Sequence, residues 1–247
     1  MFGLFKKKEK QPVQPVFELV HTDMHSHLLP GIDDGSPDVA TSLKLINGLV
    51  QLGYRKLICT PHIYKELYPN TRETITRAYE TLLPAVQQQF PGIELGFAAE
   101  YFLDDHFDSL MQKSEPLLTL PGNYVLVEYS FSSPPMDLKD KLYNLQLEGY
   151  KPILAHPERY GYYATAKHEY DALYDAGCVF QLNILSLSGY YGKQPAQLAQ
   201  YLLNKGYVSL LGTDMHHERH LGAMHMPGLH KTIQQVVSHI SLLNTSL

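Results

Sequence analysis

The feature that most constrains the fold of this 247-residue chain is a regular alternation of strand-like and helix-like segments. Short segments rich in β-branched and aromatic residues are followed by segments whose apolar residues recur at helical spacing. This alternation is typical of parallel strands joined by crossover helices. No linker interrupts the chain after residue 16, so we predict a single α/β domain over residues 17–247. The predicted strands span residues 16–24, 56–60, 93–100, 124–130, 151–156, 178–183 and 207–214.

The predicted helices between these strands carry recognisable boundary signals. A helix over residues 38–53 stops at Gly53, and one over residues 71–90 contains Pro84, which is expected to kink or divide it. A chain of this size with this alternation fits one α/β barrel. The same helical spacing recurs over residues 136–150, 170–177 and 195–206.

Polar side chains of metal-binding or hydrogen-bonding type stand at the carboxyl end of every predicted strand. In a (β/α) barrel these strand ends converge on one face, where active sites lie. Histidines scattered over a surface would not be phased with the strands in this way. The pattern therefore predicts one polar site at that end of the barrel. The residues at these positions are His25, His27, His62, Glu100, Glu128, His156, Asn183, Asp214 and His216.

Two short motifs favour metal binding. His25 and His27 are two residues apart, as are Asp214 and His216, so each pair points to one side of an extended chain. One such pair alone is typical of a solvated surface, but a pair at the first strand together with one at the last is much stronger evidence. Imidazole and carboxylate ligands suit Mn, Fe or Zn better than Ca or Mg.

Further acidic and basic residues allow two interpretations each. Glu100 and Glu128 lie in apolar segments, where a carboxylate needs a partner; we prefer metal ligation to a buried salt bridge because no nearby segment supplies a convergent cation. The "GIDDG" stretch, residues 31–35, is a turn that can also direct an aspartate into a site. Arg159 in "HPER" forms either a surface ion pair or a clamp for a phosphate.

The other polar residues near these motifs receive less specific predictions. Asp23 shares the side of its strand with the two histidines and is predicted to orient one of them. Asp33 and His21 are predicted to be ordinary turn and surface residues. Exposure and substrate contact both stay open for the histidines after the last strand, which are His217, His220 and His225.

Composition excludes several classes of function. A net charge of −5 provides no electrostatic footprint for nucleic acid, and no apolar run approaches the roughly 20 residues of a membrane span. Cys59 and Cys178 form no disulfide framework, so we expect a reducing cytoplasm. Residues 1–16, which contain lysines, prolines and glutamines, are predicted to be a disordered leader that makes at most peripheral contact with an anionic membrane surface.

Catalysis through a protein nucleophile finds no support in the sequence. A cysteine-dependent tyrosine phosphatase needs an arginine six residues after its nucleophile, but Lys65 follows Cys59 and Ile184 follows Cys178 at that spacing. The chain has neither a G-x-S-x-G elbow nor a G-x-x-x-x-G-K phosphate loop. Metal-activated water is the chemistry that the remaining residues favour.

Six motifs together resemble a known family. They are "DMHSHLLPGIDDG", "TPH", "AAEYF", "VLVEYS", "AHPERY" and "GTDMHH". In order and spacing they resemble the PHP (polymerase and histidinol phosphatase) superfamily. Within it they are most similar to the bacterial manganese-dependent protein-tyrosine phosphatases of the CpsB/YwqE type, which come from capsule and exopolysaccharide operons. The resemblance covers about residues 17–220.

The resemblance implies a distorted (β/α)7 TIM-like barrel, the PHP fold, with three divalent metal ions, manganese first and iron or zinc as alternatives. It makes Arg159 the phosphate-binding arginine, and Arg219 the candidate for a second one, although its spacing departs from the family pattern. The implied ligands are His25, His27, Glu100 and Asp214 for the first ion, Glu100, Glu128 and His156 for the second, and Asp34, His62 and His216 for the third.

The implied reaction is hydrolysis of a phosphotyrosine. A hydroxide bridging two metals would attack phosphorus in line, with Arg159 stabilising the transferring group. His216 or a neighbour is a candidate general acid for the leaving group. Tyr190 and Tyr191 either line an aromatic slot for the substrate or simply pack on the barrel.

Three hypotheses about function follow. The preferred one is a phosphatase acting on the tyrosine-rich tail of a bacterial tyrosine kinase that regulates capsule or exopolysaccharide synthesis. The alternative is a PHP-type small-molecule phosphomonoesterase with a substrate like histidinol phosphate. A metal-stabilised module without enzymatic activity is the third, and the completeness of the ligand set argues against it.

Overall fold

Parallel strands and helices alternate along the chain, as the sequence predicts. The structure is a computed structural model that describes residues 16–226 and 228–247. The predicted leader, residues 1–16, lies outside the described residues except for Val16, which is buried. Within the described ranges, no helix is both long enough and apolar enough to cross a membrane.

All strand pairs are parallel, and they form two sheets. The order is β1-β2-β4 in the smaller sheet and β3-β5-β6-β7-β8-β9 in the larger one. The strands are β1 (Thr22–Asp23), β2 (Lys56–Cys59), β3 (His62–Ile63), β4 (Glu94–Phe97), β5 (Glu100–Phe102), β6 (Tyr124–Glu128), β7 (Lys151–Ala155), β8 (Val179–Asn183) and β9 (Val208–Gly212).

The prediction of one strand over residues 16–24 was largely wrong. A 3-10 helix, Val16–Glu18, occupies the first part, and only β1 is extended. The physical reason is the spacing of the apolar residues, which fits a helical turn packed on the core better than the alternation of a strand. The buried apolar residues of this turn are Val16, Phe17 and Val20.

A short break divides the predicted strand over residues 93–100 into β4 and β5, and another follows the predicted strand over residues 56–60. Pro61, which has no N–H to donate, separates β2 from β3. Across the break, the Ala98 N–H donates to the Cys59 carbonyl at 2.8 Å and the Glu100 N–H donates to the Pro61 carbonyl at 3.1 Å. The pairing therefore continues from the smaller sheet into the larger one.

The barrel closes between its first and last strands at the carboxyl end. Ser26 and Met215 form a parallel bridge. The His27 N–H donates to the Met215 carbonyl at 2.9 Å, and the Asp214 N–H donates to the His25 carbonyl at 2.8 Å. Closure by so few residues, together with the interrupted strands, is what distorts the barrel and agrees with the predicted fold class.

The opposite end of the same seam is closed by a side chain. Asn244, which is fully buried, donates to the carbonyls of Thr22 and Leu211 at 2.9 and 2.7 Å and accepts from the Leu211 N–H at 2.9 Å. Leu247 joins a small buried core with Leu126 and residues of the other strands. Because Leu126 lies two residues before Glu128 on β6, this core lies beneath the polar strand ends.

Helices cover the outside of the barrel, and those predicted from spacing are all present. Asp38 caps the first of them by accepting from the Thr41 N–H at 2.8 Å, and Gly53 ends it with φ 114°. The second continues through Pro84, so the expected division there does not occur. The helices are α1 (Val39–Leu52), α2 (Arg72–Gln89), α3 (Asp105–Gln112), α4 (Leu138–Leu147), α5 (His168–Asp175), α6 (Lys193–Lys205), α7 (Glu218–Ala223) and α8 (Leu229–His239).

Candidate metal centre

The structure brings all nine predicted ligands together at the carboxyl end of the barrel. His25 Nε2 lies 3.1 Å from Glu100 Oε2 and 3.5 Å from Asp214 Oδ1. His27 Nε2 lies 3.4 Å from that Glu100 oxygen and 3.5 Å from that Asp214 oxygen, and the two Nε2 atoms are 3.4 Å apart. Two ligands each about 2.1 Å from a tetrahedral ion lie about 3.4 Å from one another. The spacing of these four side chains therefore suits a shared ion.

A second group of side chains contacts both carboxylate oxygens of Glu100. His62 Nδ1 lies 2.8 Å from Glu128 Oε1 and 3.2 Å from Glu100 Oε2. His156 Nε2 lies 3.2 Å from Glu100 Oε1 and 3.8 Å from Glu128 Oε2. Glu100 thus faces four imidazoles, which is the position of a carboxylate shared between neighbouring ions.

The third group lies nearest to solvent. Asp34, whose side chain is half exposed, places Oδ1 3.5 Å from the Nε2 atoms of both His62 and His216. The groups with ligand atoms close enough to hold an ion are His27, Asp34, His62 and His216; His25, His27 and Glu100; His25, His156 and Asp214; and His62, Glu100 and Glu128. The first group contains the implied third set together with His27, and the second contains three of the four ligands of the implied first set. The last two groups mix members of different implied sets, so the assignment of ligands to individual ions stays a prediction.

Buried acceptors orient two of these histidines. His25 Nδ1 donates to Gln181 Oε1 at 2.8 Å, and His27 Nδ1 donates to Asp33 Oδ2 at 2.8 Å. A neutral imidazole that donates from Nδ1 presents its Nε2 lone pair, so these acceptors orient both rings for metal ligation. Gln181 was not predicted from the sequence, although it lies two residues before Asn183 on the same face of β8.

The prediction that Asp33 is an ordinary turn residue was wrong. Its side chain is fully buried and also accepts from the N–H groups of Gly35 at 3.0 Å and His62 at 3.3 Å. The turn packs directly on the first strand, because a Cβ on Gly35 would lie 2.1 Å from the His27 carbonyl oxygen. Only glycine permits this approach, and it is what carries Asp33 to His27 and Asp34 to the outer group. His21 is exposed, as predicted.

Asp23 does not orient a histidine, contrary to the prediction. Its buried carboxylate accepts from the Thr213 N–H at 2.9 Å and from the Thr213 hydroxyl at 2.6 Å. Burial raises the pKa of Asp23 to about 6, against the opposing effect of the Thr213 hydrogen bonds. Asp23 therefore fixes the segment that leads into Asp214 rather than a ligand on its own strand.

Two of the predicted ligands have left-handed backbones. Asp214 has φ 51° and His156 has φ 35°, a region that non-glycine residues seldom adopt. Asn183 stabilises the first of them by donating to Asp214 Oδ2 at 2.7 Å. This conformation turns each side chain into the site just after its strand ends.

Arg159 lies at the edge of the cluster. Its Nη1 donates to Asp214 Oδ2 at 2.9 Å, and its guanidinium carbon lies 4.5 Å from the ring centre of Tyr191 and 5.0 Å from that of Phe131. Arg219, by contrast, is exposed on α7 and does not line the cleft at this end of the barrel, so its phosphate role stays a prediction.

The segment after β9 packs around the outer group. His216 Nδ1 donates to the Asp214 carbonyl at 2.8 Å, which leaves its Nε2 lone pair facing Asp34 and suits a ligand better than a general acid. His217 and His220 line the cleft, whereas His225 is exposed. Burial lowers the pKa of His220 to about 4, so this imidazole is neutral at physiological pH.

The two tyrosines considered for an aromatic slot have different environments. Tyr191 packs against Arg159, and its hydroxyl is buried. Tyr190 is 36% exposed and meets the His220 ring edge-on at 5.3 Å. Tyr191 therefore supports the arginine, while Tyr190 borders the cleft from outside.

Inside this buried cluster, the charges of facing imidazoles and carboxylates offset the effect of burial on each other's pKa. Burial alone would raise the pKa of Glu100, but the facing rings of His25 and His62 outweigh it and hold that pKa well below its usual range. Burial would likewise lower the pKa of His25, but the carboxylates of Glu100 and Asp214 outweigh it and raise that pKa. Each member thus keeps its charge only because its neighbours carry the opposite one.

The donor set fits divalent cations. Glu100 Oε1 is buried, and among the described residues it receives no hydrogen bond. His62 Nδ1 is also buried and not aligned for one, although it lies near Glu128. Buried acceptors without donors are costly unless an ion completes them. The cleft above has a volume of about 280 Å³ and is lined by Asp34, His62, Glu128, Phe131, His156, Arg159, Tyr191, Asp214, His216, His217 and His220.

The chain is similar in sequence to proteins named tyrosine-protein phosphatases. Tyrosine-protein phosphatase YwqE of Bacillus subtilis is 29% identical over 200 residues, which are 78% of this chain and 76% of that protein. Tyrosine-protein phosphatase CpsB of Streptococcus agalactiae is 26% identical over 200 residues, 78% of this chain and 82% of that protein.

Solved structures give the same result at the level of the fold. A crystal structure reported for YwqE from Bacillus subtilis and CpsB from Streptococcus pneumoniae, described as unique metal-dependent tyrosine phosphatases, matches with a TM-score of 0.75 and 25% identity. The match covers 90% of this chain and 96% of that one. An amidohydrolase from Mycoplasma synoviae shares the fold alone, with a TM-score of 0.57 and 14% identity.

The family described as "Capsular polysaccharide synthesis, CpsB/CapC" matches residues 21–241. This range contains all nine predicted ligands, Arg159 and every strand of the barrel, and it begins after the predicted leader. The chain therefore belongs to the CpsB/CapC family of capsular polysaccharide synthesis.

Proposed function

We propose that this chain is a metal-dependent phosphatase that hydrolyses phosphotyrosine in proteins. The observation that carries the proposal is the buried cluster of imidazoles and carboxylates with a single arginine at its edge. Membership of the CpsB/CapC family and the similarity to relatives named tyrosine-protein phosphatases support the same substrate class.

The cluster would hold three divalent ions, with Mn²⁺ preferred and Fe or Zn as alternatives. When bound, the ions would supply Lewis acidity, which lowers the pKa of a coordinated water and neutralises charge on the phosphoryl oxygens. Their ligands would be His25, His27, Asp34, His62, Glu100, Glu128, His156, Asp214 and His216.

Arg159 would bind the phosphoryl group. A guanidinium has five N–H donors, and within the described residues only Nη1 of Arg159 makes a hydrogen bond, to Asp214. Tyr191 and Phe131 flank this guanidinium, and Asp214 fixes its position. The remaining donors suit the planar, bidentate recognition of a phosphate dianion.

The reaction forms one bond and breaks another. A water oxygen bonds to phosphorus, the bond from phosphorus to the tyrosine oxygen breaks, and that oxygen leaves with the electron pair and takes up a proton. A phenolate is a better leaving group than an alkoxide, so the reaction depends less on a dedicated general acid. In this cleft the Nε2 lone pair of His216 faces Asp34, so His216 is oriented as a metal ligand rather than as a proton donor to the leaving group.

The proposed substrate in the cell is the tyrosine-rich tail of a bacterial tyrosine kinase that regulates capsule or exopolysaccharide synthesis, in the cytoplasm. A tail of this kind would present phosphotyrosine on an extended segment to the open end of the barrel. We propose no nucleic-acid partner, because the net charge of −5 provides no basic surface for one.

The experiment is phosphate release by protein stripped of metal and reloaded with Mn²⁺, Fe²⁺ or Zn²⁺. We expect metal-dependent turnover of a phosphotyrosine peptide, and three ions per chain by mass spectrometry of the loaded protein. Histidinol phosphate serves as the small-molecule comparison and should be the poorer substrate. Absence of turnover with every metal would refute the proposal, and preference for histidinol phosphate would replace it with the small-molecule alternative.

A further inference from the structure

An aromatic side chain stands exposed beside the cluster. Phe131 follows β6 by three residues, is 48% exposed and lines the same cleft as Glu128, His156 and Arg159. Single exposed apolar residues are common on protein surfaces. Phe131 differs from these because it lies over charged groups of the candidate site rather than at the edge of a core.

Neighbouring groups hold the Phe131 ring in place. Its centre lies 5.6 Å from that of the His156 ring, with an angle of 24° between the planes, and 5.3 Å from that of Tyr160. The Arg159 guanidinium carbon lies 5.0 Å from the ring centre. These contacts orient the ring on the protein side, while its exposed part borders the cleft.

The contact between Phe131 and Arg159 sets where the ring lies relative to a phosphoryl group bound by that arginine. A phosphoryl held by Arg159 lies next to the ring, because the guanidinium contacts both. In an aryl phosphate a single oxygen separates phosphorus from the substrate ring. The substrate ring can therefore pack against Phe131 at the roughly 4.5–7 Å between ring centres that is typical of aromatic pairs. A seryl or threonyl ester offers only a short aliphatic carbon at that place.

We propose that Phe131 is a specificity-determining residue that packs against the phenyl ring of the substrate and selects aryl over alkyl phosphate esters. The inference rests on the proposed phosphatase function and adds to it the residue that discriminates at the leaving group. Discrimination arises because the ring contact is made by an aryl ester and has no counterpart in an alkyl ester.

The kinetic test compares two peptides of one sequence that carry phosphotyrosine or phosphoserine. Phe131→Leu, which keeps apolar bulk but removes the ring, should lower kcat/KM about tenfold more for the phosphotyrosine peptide than for the phosphoserine peptide, because any effect through Arg159 is common to both substrates. Phe131→Tyr should restore the aryl preference. Met136→Ala is the matched control, since Met136 is exposed in the same loop but lines a separate cavity. An equal loss on both peptides, or no loss on either, would overturn the proposal.

A binding experiment separates this proposal from the proposed function. Calorimetry on metal-loaded protein measures the affinities for phenylphosphonate and methylphosphonate, which share the phosphonate group and differ in the ring. Wild type should bind the phenyl compound more tightly, and Phe131→Leu should remove most of that difference without changing metal content. If wild type binds both equally, Phe131 does not recognise the ring, whatever the turnover. If neither peptide is hydrolysed, the proposed function fails and the ring-dependent binding alone decides the role of Phe131.

Discussion

The two ends of the barrel are built from the same strands on opposite physical principles. At the carboxyl end, buried side chains such as His25, Glu100 and Asp214 are charged or polar and face one another. At the other end, Leu247 and its neighbours are apolar, and the buried amide of Asn244 has all its partners. The Asn244 amide satisfies the groups around it, whereas the carboxyl end leaves Glu100 Oε1 without a donor among the described residues.

The contrast between an apolar end and a charged end indicates that one end contributes mainly to stability and the other mainly to function. Burial of a leucine such as Leu247 contributes on the order of 2 kcal/mol, while desolvation of charged groups at the carboxyl end costs energy that their mutual pairing offsets only in part. The carboxyl end is therefore expected to need metal to reach its full stability, and the other end is expected to be indifferent to metal. Substitutions at each end test this separation.

The largest effect is expected from Asp214→Asn. Asparagine tolerates the left-handed backbone of this position, but it removes the charge that faces His25 and His27. Phosphatase activity should fall on the order of 10³-fold, since metal coordination supplies several kcal/mol of transition-state stabilisation. The rise in melting temperature on addition of Mn²⁺ should disappear. The melting temperature without metal should also fall, because His25 and Arg159 lose the carboxylate that faces them.

The control for this substitution is Asp175→Asn, an exposed aspartate at the end of α5. It removes the same charge far from the cleft and should leave activity and metal content as in wild type. Retention of full activity and metal by Asp214→Asn would contradict its assignment to the centre.

The next largest effect concerns the opposite end and a different quantity. Asn244→Ala leaves the Leu211 N–H and two buried carbonyls unpaired, so the free energy of unfolding should fall by about 2–4 kcal/mol. Metal stoichiometry and kcat should not change. Ser246→Ala is the control, because this exposed hydroxyl donates only to the nearby Leu243 carbonyl. A loss of metal in Asn244→Ala would show that the two ends are coupled.

A smaller effect is expected from Asp33→Asn. The single amide oxygen can replace either Oδ2, which accepts from His27 Nδ1 and the His62 N–H, or Oδ1, which accepts from the Gly35 N–H, but it cannot replace both. Affinity for Mn²⁺ should fall roughly 10–100-fold, as is usual when the partner of a ligating histidine is lost. Asp38→Asn is the control, since an asparagine caps α1 as well as aspartate does. Unchanged affinity would return Asp33 to the role of a turn residue.

The case of Asp33 shows where sequence reasoning stops. The ligand positions were predictable because they are phased with strands, and strand ends in a parallel barrel must converge. Asp33 and Asp34 are adjacent in a turn, where no periodicity tells which carboxylate points inward. That choice depends on the close contact of Gly35 with His27, which is a tertiary feature.

The contact between the first and last strands of the barrel was equally out of reach of prediction from the sequence. The alternation of strands and helices predicted a barrel, but nothing in the sequence pattern indicated that Asn244 would bridge Thr22 and Leu211. Asn244 lies 222 positions from Thr22 and 33 from Leu211, and separations of this size leave no local signal. The failure to predict the helical turn at Val16–Glu18 has a different origin, since β-branched and aromatic residues there outweighed their helical spacing.

The last prediction uses pH to distinguish the two ends. Burial and the neighbouring His27 would lower the pKa of His62, but Glu100, Asp34 and Glu128 outweigh them and raise it to about 10; the pKa values of His25 and His27 are raised as well. Without metal the imidazole of His62 therefore holds a proton at neutral pH. Raised pKa values stabilise the metal-free fold below the unfolded-state pKa of about 6.5, and this stability is lost as pH rises toward the folded values.

Metal has the opposite dependence, because a histidine must be neutral to ligate. Mn²⁺ affinity should therefore rise with pH between 6 and 9, about tenfold per pH unit for each proton that the ion displaces. Calorimetry in two buffers of different ionisation enthalpy measures both the affinity and the protons released. Asn244→Ala should follow the same curve as wild type at lower overall stability, since no titrating group contacts that amide among its hydrogen-bond partners. A pH-independent affinity would contradict the histidine ligands and, with them, the contrast between the two ends of the barrel.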